Sequence, residues 1–203
     1  MKYLKLLFVL LIFTCFFKNS HAQNIDLISG DITVLKGQPS VMITFVYDNM
    51  KIGEFTEEMY FKQKKSEYRK APDAEKFIAQ WKVDFKDKHE PKFIEQFNNS
   101  IKKLKLKAVK DDTSKYTLIV NTNKIEPGYY KGSGSISRET YIDVTVDLVE
   151  SNDPTNILAT IKAENVVGVG INTTEMKDQQ SRIANAYGDC ASRIAKLIVK
   201  RCK

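Results

Sequence analysis

Histidine and cysteine are scarce in this 203-residue chain. His21 and His89 are the only histidines, and His21 falls in the N-terminal leader. Ser-His-Asp, Cys-His and histidine-rich metal chemistry would therefore all depend on His89. It stands in Lys86-Asp87-Lys88-His89-Glu90-Pro91, which reads as a polar bend between helices, and a surface position is expected for it. A metal there would need Asp84, Asp87 or Glu90 to converge on the same point. No nucleophile-elbow pattern accompanies it.

Two cysteines remain outside the leader, Cys190 and Cys202. An unbroken helix between them would rise about 18 Å, whereas bridged Cα atoms sit about 5–6 Å apart. Export to oxidising conditions allows a disulfide, but this geometry argues against a simple one, because the chain would have to leave the helix early and fold back. Cys190 falls on an apolar stripe and reads as core. Cys202 reads as free, or as a bridge to a second chain.

Long apolar runs are also lacking, with one exception. Leu6–Phe17 is apolar apart from Thr14, follows a short basic start, and precedes small residues at Ser20 and Ala22. That is the pattern of a secretory signal peptide covering residues 1–22, with the mature domain at residues 23–203. The run is too short for a comfortable membrane span. Lipid attachment at Cys15 is disfavoured by the bulky Ile12 and Phe13 before it. The leader holds Lys2, Lys5 and Lys18 and no acid, so the charge falls from +7 to +4 on cleavage. Export separates the chain from nucleic acid, so none is expected as a partner. A weak attraction to anionic envelope surfaces fits the residual charge. A mature chain of this size can hold one domain with a sizeable core. No repeat or low-complexity tract is present.

The organising stretch is Tyr141–Leu148, YIDVTVDL. Ile142, Val144, Val146 and Leu148 alternate with Tyr141, Asp143, Thr145 and Asp147. Period two defines a strand with one apolar face, which needs a cover on one side only. In Met176–Val199 apolar residues recur at helical spacing, including Ile183, Tyr187, Cys190, Ile194 and Ile198. Asn172 and Glu175 have capping-box spacing before it. The expected fold class is α+β: an antiparallel or mixed β-sheet covered by helices. A long helical block separates the first strand from a β-meander, and a C-terminal helix ends the chain.

Val41–Tyr47 is the expected first main strand, central in the sheet. Ile32–Leu35 reads as a short edge strand or arm. Thr56 caps the helical block, with Glu57 and Glu58 in its first turn. Pro72 and Pro91 each suit the first turn of a helix, and two or three helices are expected between Thr56 and Lys103. Asn156–Ala163 should pair back on Tyr141–Val149 as a hairpin across the Ser151–Pro154 turn.

Few residues stand out as candidates for function. GYYKGSGS at Gly128–Ser135 lacks the Lys-Ser/Thr ending and the following helix of a phosphate loop, and reads as a hairpin tip. Asp143 and Asp147 would lie about 13 Å apart along a strand, too far for glycosidase carboxylates, and are read as keeping the open face soluble. Tyr129, Tyr130 and Lys131 form one candidate interaction surface, because tyrosine contacts cost little ordering. Lys103, Lys105 and Lys107 form another, alternating with Leu104, Leu106 and Ala108. A lysine row also protects a sheet edge from stray pairing. No residue set points to catalysis, a cofactor or a metal.

Val41–Asp48 followed by charged helices, then YKGSGSISRETYIDVTVDL, then SRIANAYGDCASRIAKLIVK, make an order of elements that resembles small bacterial envelope domains. It is similar to the N-terminal domain of the Tol translocation protein and to the outer-membrane activators of peptidoglycan synthases. The resemblance implies a sheet whose hairpins are read by partner proteins, with no shared catalytic residues. The expectation is an exported, non-enzymatic envelope protein, periplasmic, outer-membrane-associated or secreted, that binds another envelope protein or serves as an assembly module. Peripheral contact with membrane or cell wall is compatible with it. A cell-wall hydrolase would need a cleft gathering His89 and carboxylates. A carrier of a small apolar ligand or lipid would need a cavity between the Phe77–Phe97 aromatics and the sheet.

Overall fold

Alternation at Tyr141–Leu148 continues into an eleven-residue strand inside an eight-stranded mixed sheet. The computed structural model describes residues 24–110, 114–132, 137–170 and 172–203. The expected leader at residues 1–22 and part of the glycine loop lie outside the described residues. The strands are β1 (Asn24–Gly30), β2 (Ser40–Val46), β3 (Lys51–Ile52), β4 (Phe55–Thr56), β5 (Lys107–Val109), β6 (Tyr116–Glu126), β7 (Thr140–Glu150) and β8 (Asp153–Gly168). Their order is β1-β8-β7-β6-β2-β5, with the β3–β4 ribbon attached to β6. The helices are α1 (Glu57–Glu67), α2 (Ala71–Asp84), α3 (Glu90–Ile101), α4 (Thr173–Lys177) and α5 (Gln179–Cys202). Among the described residues no helix is long and apolar enough to cross a membrane.

The sheet is mixed because β2 runs parallel to both β5 and β6. Parallel neighbours need a crossover, since a tight turn only reverses the chain. The α1–α3 block is that crossover. The β6-β7-β8 meander is antiparallel, and β8 pairs with β7 as the expected hairpin. In β7 the residues Ile142, Val144, Val146 and Leu148 are buried, while Tyr141, Asp143, Thr145 and Asp147 are half-buried. Helix α5 packs over β7 and β8, and α3 packs on α5. The two layers are joined by the Tyr187 and Thr122 hydroxyls, 2.6 Å apart in the core. Asp143 and Asp147 do more than solvate the open face. Asp147 accepts from Thr160 at 2.8 Å and from Asn121 at 3.2 Å, and Asp143 accepts from the Asn165 amide at 2.7 Å. Each carboxylate ties its own strand to a neighbour.

The chain at Ile32–Leu35 is not a strand. Asp31 folds over it, accepting from the Thr33 amide at 2.8 Å, and Thr33–Leu35 makes a 3-10 turn with Ile32 and Leu35 buried. The local Asp bond offers the backbone an alternative to the ladder. The edge strand lies one step earlier, in β1.

The Lys86–Pro91 bend is also corrected. Phe85–His89 is a π-helical segment, and α2 runs through it into α3. The Glu90 amide bonds to the Phe85 carbonyl, five residues back. Pro91 has no N–H, and its ring would press on the carbonyl four residues back in a regular helix. The widened turn relieves that clash without breaking the helix. His89 consequently lies in the core, fully buried. Its ring stacks on Tyr187 with centroids 5.4 Å apart and meets Phe85 edge-on at 4.9 Å.

At the end of the chain α5 stays helical through Cys202, so Cys190 and Cys202 remain free thiols, both buried. Cys202 Sγ donates to the Ile32 carbonyl at 3.4 Å. Burial pushes both thiols up from their ordinary range, and a protonated, enclosed thiol is a poor nucleophile. Neither cysteine is expected to react with a maleimide in the native state, and both should react once urea unfolds the chain. Native labelling at Cys202 would show that the last helical turn opens. Cys202 in this position is closed to a second chain.

Candidate functional site

Chain geometry brings the candidate aromatics to one end of the sheet. Strand β6 stops at Glu126, and Gly128 turns the backbone with φ at +56°. A Cβ at Gly128 would lie 2.4 Å from the Arg138 carbonyl, so a side chain there would collide with backbone. Tyr129 then pairs with Arg138 through two backbone hydrogen bonds of 3.0 and 2.9 Å. The Arg138 guanidinium reaches back to the buried carboxylate of Glu126 at 3.0 Å. The pair ties the root of the loop to the end of β6, while Tyr129 stays 42% exposed. Lys131 Nζ sits 5.3 Å from that ring's centroid, within cation–π range.

Tyr129 and Arg138 form a ridge between two clefts. One, of about 400 Å³, is bounded by Phe55, Tyr60, Lys64, Glu126 and Gln179. The other, of about 350 Å³, is walled by Tyr130, Val167, Val169, Met176 and Arg182. Tyr60 joins the helices to this end, its hydroxyl accepting from Gln179 at 3.5 Å, and burial raises its pKa. On the first cleft's outer flank, Lys124 donates to Glu54 at 2.6 Å and holds that carboxyl below its usual range.

Arg182 gives the second cleft its character. It enters from the first turn of α5 and is only 7% exposed. Nε donates to Thr140 Oγ1 at 2.9 Å, Nη1 to the Met176 carbonyl at 2.6 Å and Nη2 to the Pro127 carbonyl at 3.2 Å. Those bonds staple α4, the end of β6 and the start of β7 together. All three acceptors are neutral. None of the ion pairs among the described residues includes Arg182. Asp178 supports its charge from nearby, but the Asp178 carboxylate is engaged by Ser181 at 2.5 Å and by the first amides of α5. Burial lowers the Arg182 pKa, and Asp178 offsets part of that effect. Gly168 makes the close approach of helix and strand possible, since a Cβ there would lie 1.9 Å from the Arg182 carbonyl.

Sequence reasoning missed Arg182. Its only signal was a cation one position before Ile183, on the border of the α5 stripe. His89 had a clearer signal. Phe77, Trp81, Phe85, His89, Phe93, Phe97 and Ile101 are spaced by four without exception. Each such step overshoots a 3.6-residue turn by about 40°, and the wide π turn takes up part of that drift. A histidine inside this series belongs to the buried face.

The lysines lie elsewhere. Lys103 is in the 3-10 turn Lys102–Leu104, Lys105 is its left-handed cap with φ at +56°, and only Lys107 is on a strand. The expected lysine row along a strand is therefore a turn leading into β5, an edge strand of three residues. All three side chains are exposed. Met42 is level with both Val109 and Thr117, so Lys107 stands beside the start of β6 and Tyr129 beyond its end. At a strand rise of about 3.3 Å per residue the two patches are roughly 35 Å apart. They are two surfaces.

Among the described residues no group of three or more His, Cys, Asp or Glu side chains is placed to hold a metal ion. None of the two clefts above, a third of about 250 Å³ beside Asn165, or a fourth of about 600 Å³ around Asn49 is lined by His89 or by the Phe77–Phe97 aromatics. No family model and no curated protein matches the sequence. Among solved structures, the chain is similar to a PelC dodecamer from Paraburkholderia phytofirmans, at 9% identity and a TM-score of 0.41, covering 85% of this chain and 96% of that one. It is also similar to a neuraminyllactose-binding hemagglutinin homolog from Helicobacter pylori, at 12% identity and a TM-score of 0.32, covering 82% and 86%. A third, a protein from Xanthomonas campestris, shares 14% identity at a TM-score of 0.29, covering 52% and 58%.

Proposed function

We propose that this chain is an exported, non-enzymatic binding module of the bacterial envelope, and that a partner protein docks on the Tyr129 end of its sheet. The observation that carries this reading is the exposed Tyr129 on a root held by two backbone hydrogen bonds, with a cleft on either side. Rigid aromatic anchors flanked by grooves are where interface energy concentrates. The leader-like residues 1–22 support export. A hydrolase is disfavoured because its one imidazole, His89, is enclosed among Phe85, Tyr187 and their neighbours. A carrier is disfavoured because the aromatics meant to line its cavity pack on one another.

The test places a photo-crosslinking residue at position 129 or 107 of the exported chain in its native envelope. Position 129 is expected to capture one stoichiometric envelope protein. With the crosslinking residue moved to position 131, Tyr129→Ala should cut that protein's recovery roughly tenfold or more, as loss of an interface anchor does. The combined Lys103→Glu, Lys105→Glu and Lys107→Glu change should leave recovery intact. Capture from position 107 alone would move the docking surface to the other end of the sheet. Release of soluble fragments from purified cell wall by the pure chain would overturn the non-enzymatic reading.

A further inference from the structure

The second cleft has a chemistry that specifies its occupant. Charged side chains are almost never fully buried without an opposite charge, yet Arg182 is held in the core by three neutral acceptors. A guanidinium has five N–H donors. Three are engaged, so one remains on each of Nη1 and Nη2 without a partner among the described residues. Two donors on the outer nitrogens are what a carboxylate takes side by side. The walls beside them are apolar: Val167, Val169 and Met176, with Tyr130 across. Val169 is 65% exposed, an apolar side chain standing at the mouth. Glu139 is the one acid lining this cleft, and it is exposed at the rim. The cleft's other cation, Arg138, is neutralised by Glu126 on the far side of the ridge. The positive charge at the base of the cleft is therefore that of Arg182, supported from nearby by Asp178 but bonded to no carboxylate among the described residues, while Glu139 stands at the rim.

Size narrows the occupant further. About 350 Å³ is at the small end of ligand pockets. It suits the end of a chain better than a segment passing through. We propose that the cleft over Arg182 captures the C-terminal carboxylate of a partner polypeptide whose last side chain is apolar. The carboxylate pairs with the two remaining Arg182 donors, and the terminal side chain packs against Val167, Val169 and Met176. This rests on the reading of the Tyr129 end as a protein-binding surface, and names what that surface recognises.

The test uses the mature chain and fluorescein-labelled hexapeptides ending in Leu, Val, Ile or Phe, each made as the free acid and as the C-terminal amide. Binding is read by fluorescence anisotropy at low and high salt. At least one free acid should bind, and its amide should bind about tenfold or more weakly, the size of a lost charge-assisted hydrogen bond. A third peptide with an internal Glu and an amidated end should behave like the amide. If it binds as tightly as the free acid, the carboxylate comes from a side chain and the C-terminal assignment is overturned. Arg182→Lys keeps the charge but not the fork, and should weaken the free acid several-fold without affecting the amide. Arg182 is also a structural staple, so a second variant avoids it. Val169→Asp lies at the exposed mouth and should weaken the free acid while leaving thermal unfolding unchanged. Equal binding of acids and amides, or no binding by any free acid, overturns the proposal. If the crosslink from position 129 persists in that case, the docking surface stands and only its carboxylate chemistry fails. If that crosslink is absent as well, both fail.

Discussion

Trp81→Ala is expected to destabilise the chain by about 3–5 kcal/mol, the range for emptying a buried aromatic site. Trp81 is fully buried, and its ring centroid lies 5.4 Å from that of Tyr60, 6.4 Å from Phe61, 6.0 Å from Phe77 and 6.2 Å from Phe85. Rings from α1, from its own helix and from the π-helical segment all meet it, so the cavity cannot close by moving a single side chain. A loss of this size is a large fraction of the about 5–15 kcal/mol that holds a domain folded. Trp81→Phe should behave differently. The indole Nε1 is buried without a hydrogen-bond partner among the described residues, so phenylalanine removes an unsatisfied donor along with some volume. Its cost should stay below about 1.5 kcal/mol. Urea unfolding followed by far-ultraviolet circular dichroism makes the comparison, because Trp81 is the only tryptophan and fluorescence would lose its probe. Equal losses for the two variants would show that the indole nitrogen has a partner.

Stability should rise with pH between about 4 and 6.5, and His89 should account for the slope. Burial is the main cause that holds its imidazole down to about 4, against an ordinary value of 6.5. Asp84 opposes that shift, and Lys88 reinforces it. Gln180, on α5, comes near enough to favour the proton, yet neither ring nitrogen reaches hydrogen-bonding geometry. Tyr187 and Phe85 enclose the ring from the two sides. The folded pKa lies below the unfolded one, so in this window the unfolded chain binds a proton that the folded chain refuses. Stability therefore falls as pH drops through 6.5 and levels off below about 4. Each pKa unit is worth about 1.4 kcal/mol, so the loss across the window is about 3 kcal/mol. Denaturant midpoints measured from pH 4 to 8 should show this slope in the parent and not in His89→Phe, with the two curves parallel above pH 7. Parallel curves throughout would mean that the imidazole is not held neutral. Carboxylates contribute their own slope below about pH 5, and the comparison with the variant removes it.

Much of the fold was legible in the chain itself. Period two placed β7, and its hairpin partner β8 followed from the Ser151–Pro154 turn. Thr56 does cap α1, accepting from the Met59 amide at 3.3 Å. Asn172 does cap α4, but Asp178 then starts a fresh helix, so the expected single C-terminal helix is a short one followed by α5. Apolar stripes located α2, α3 and α5 because a stripe is a local property of spacing. Helix rise alone argued against a simple Cys190–Cys202 bridge, whereas the burial of Cys202 is what closes it to a second chain.

The candidate site was legible only in part. Tyr129–Lys131 could be picked out because glycines mark a turn and tyrosines stand in it. Their clefts could not, since those walls come from β3, β4, α1, α4 and α5. The parallel placement of β2 beside β6, the burial of His89 and the staple at Arg182 belong to the same class. Arg182 reaches Thr140 across 42 positions of sequence and Pro127 across 55. Local periodicity determines what each segment becomes and which face it must hide. Which distant segment covers that face, and which polar groups then meet or go unmatched there, depends on packing between residues that share no local pattern. Tertiary structure alone decides that.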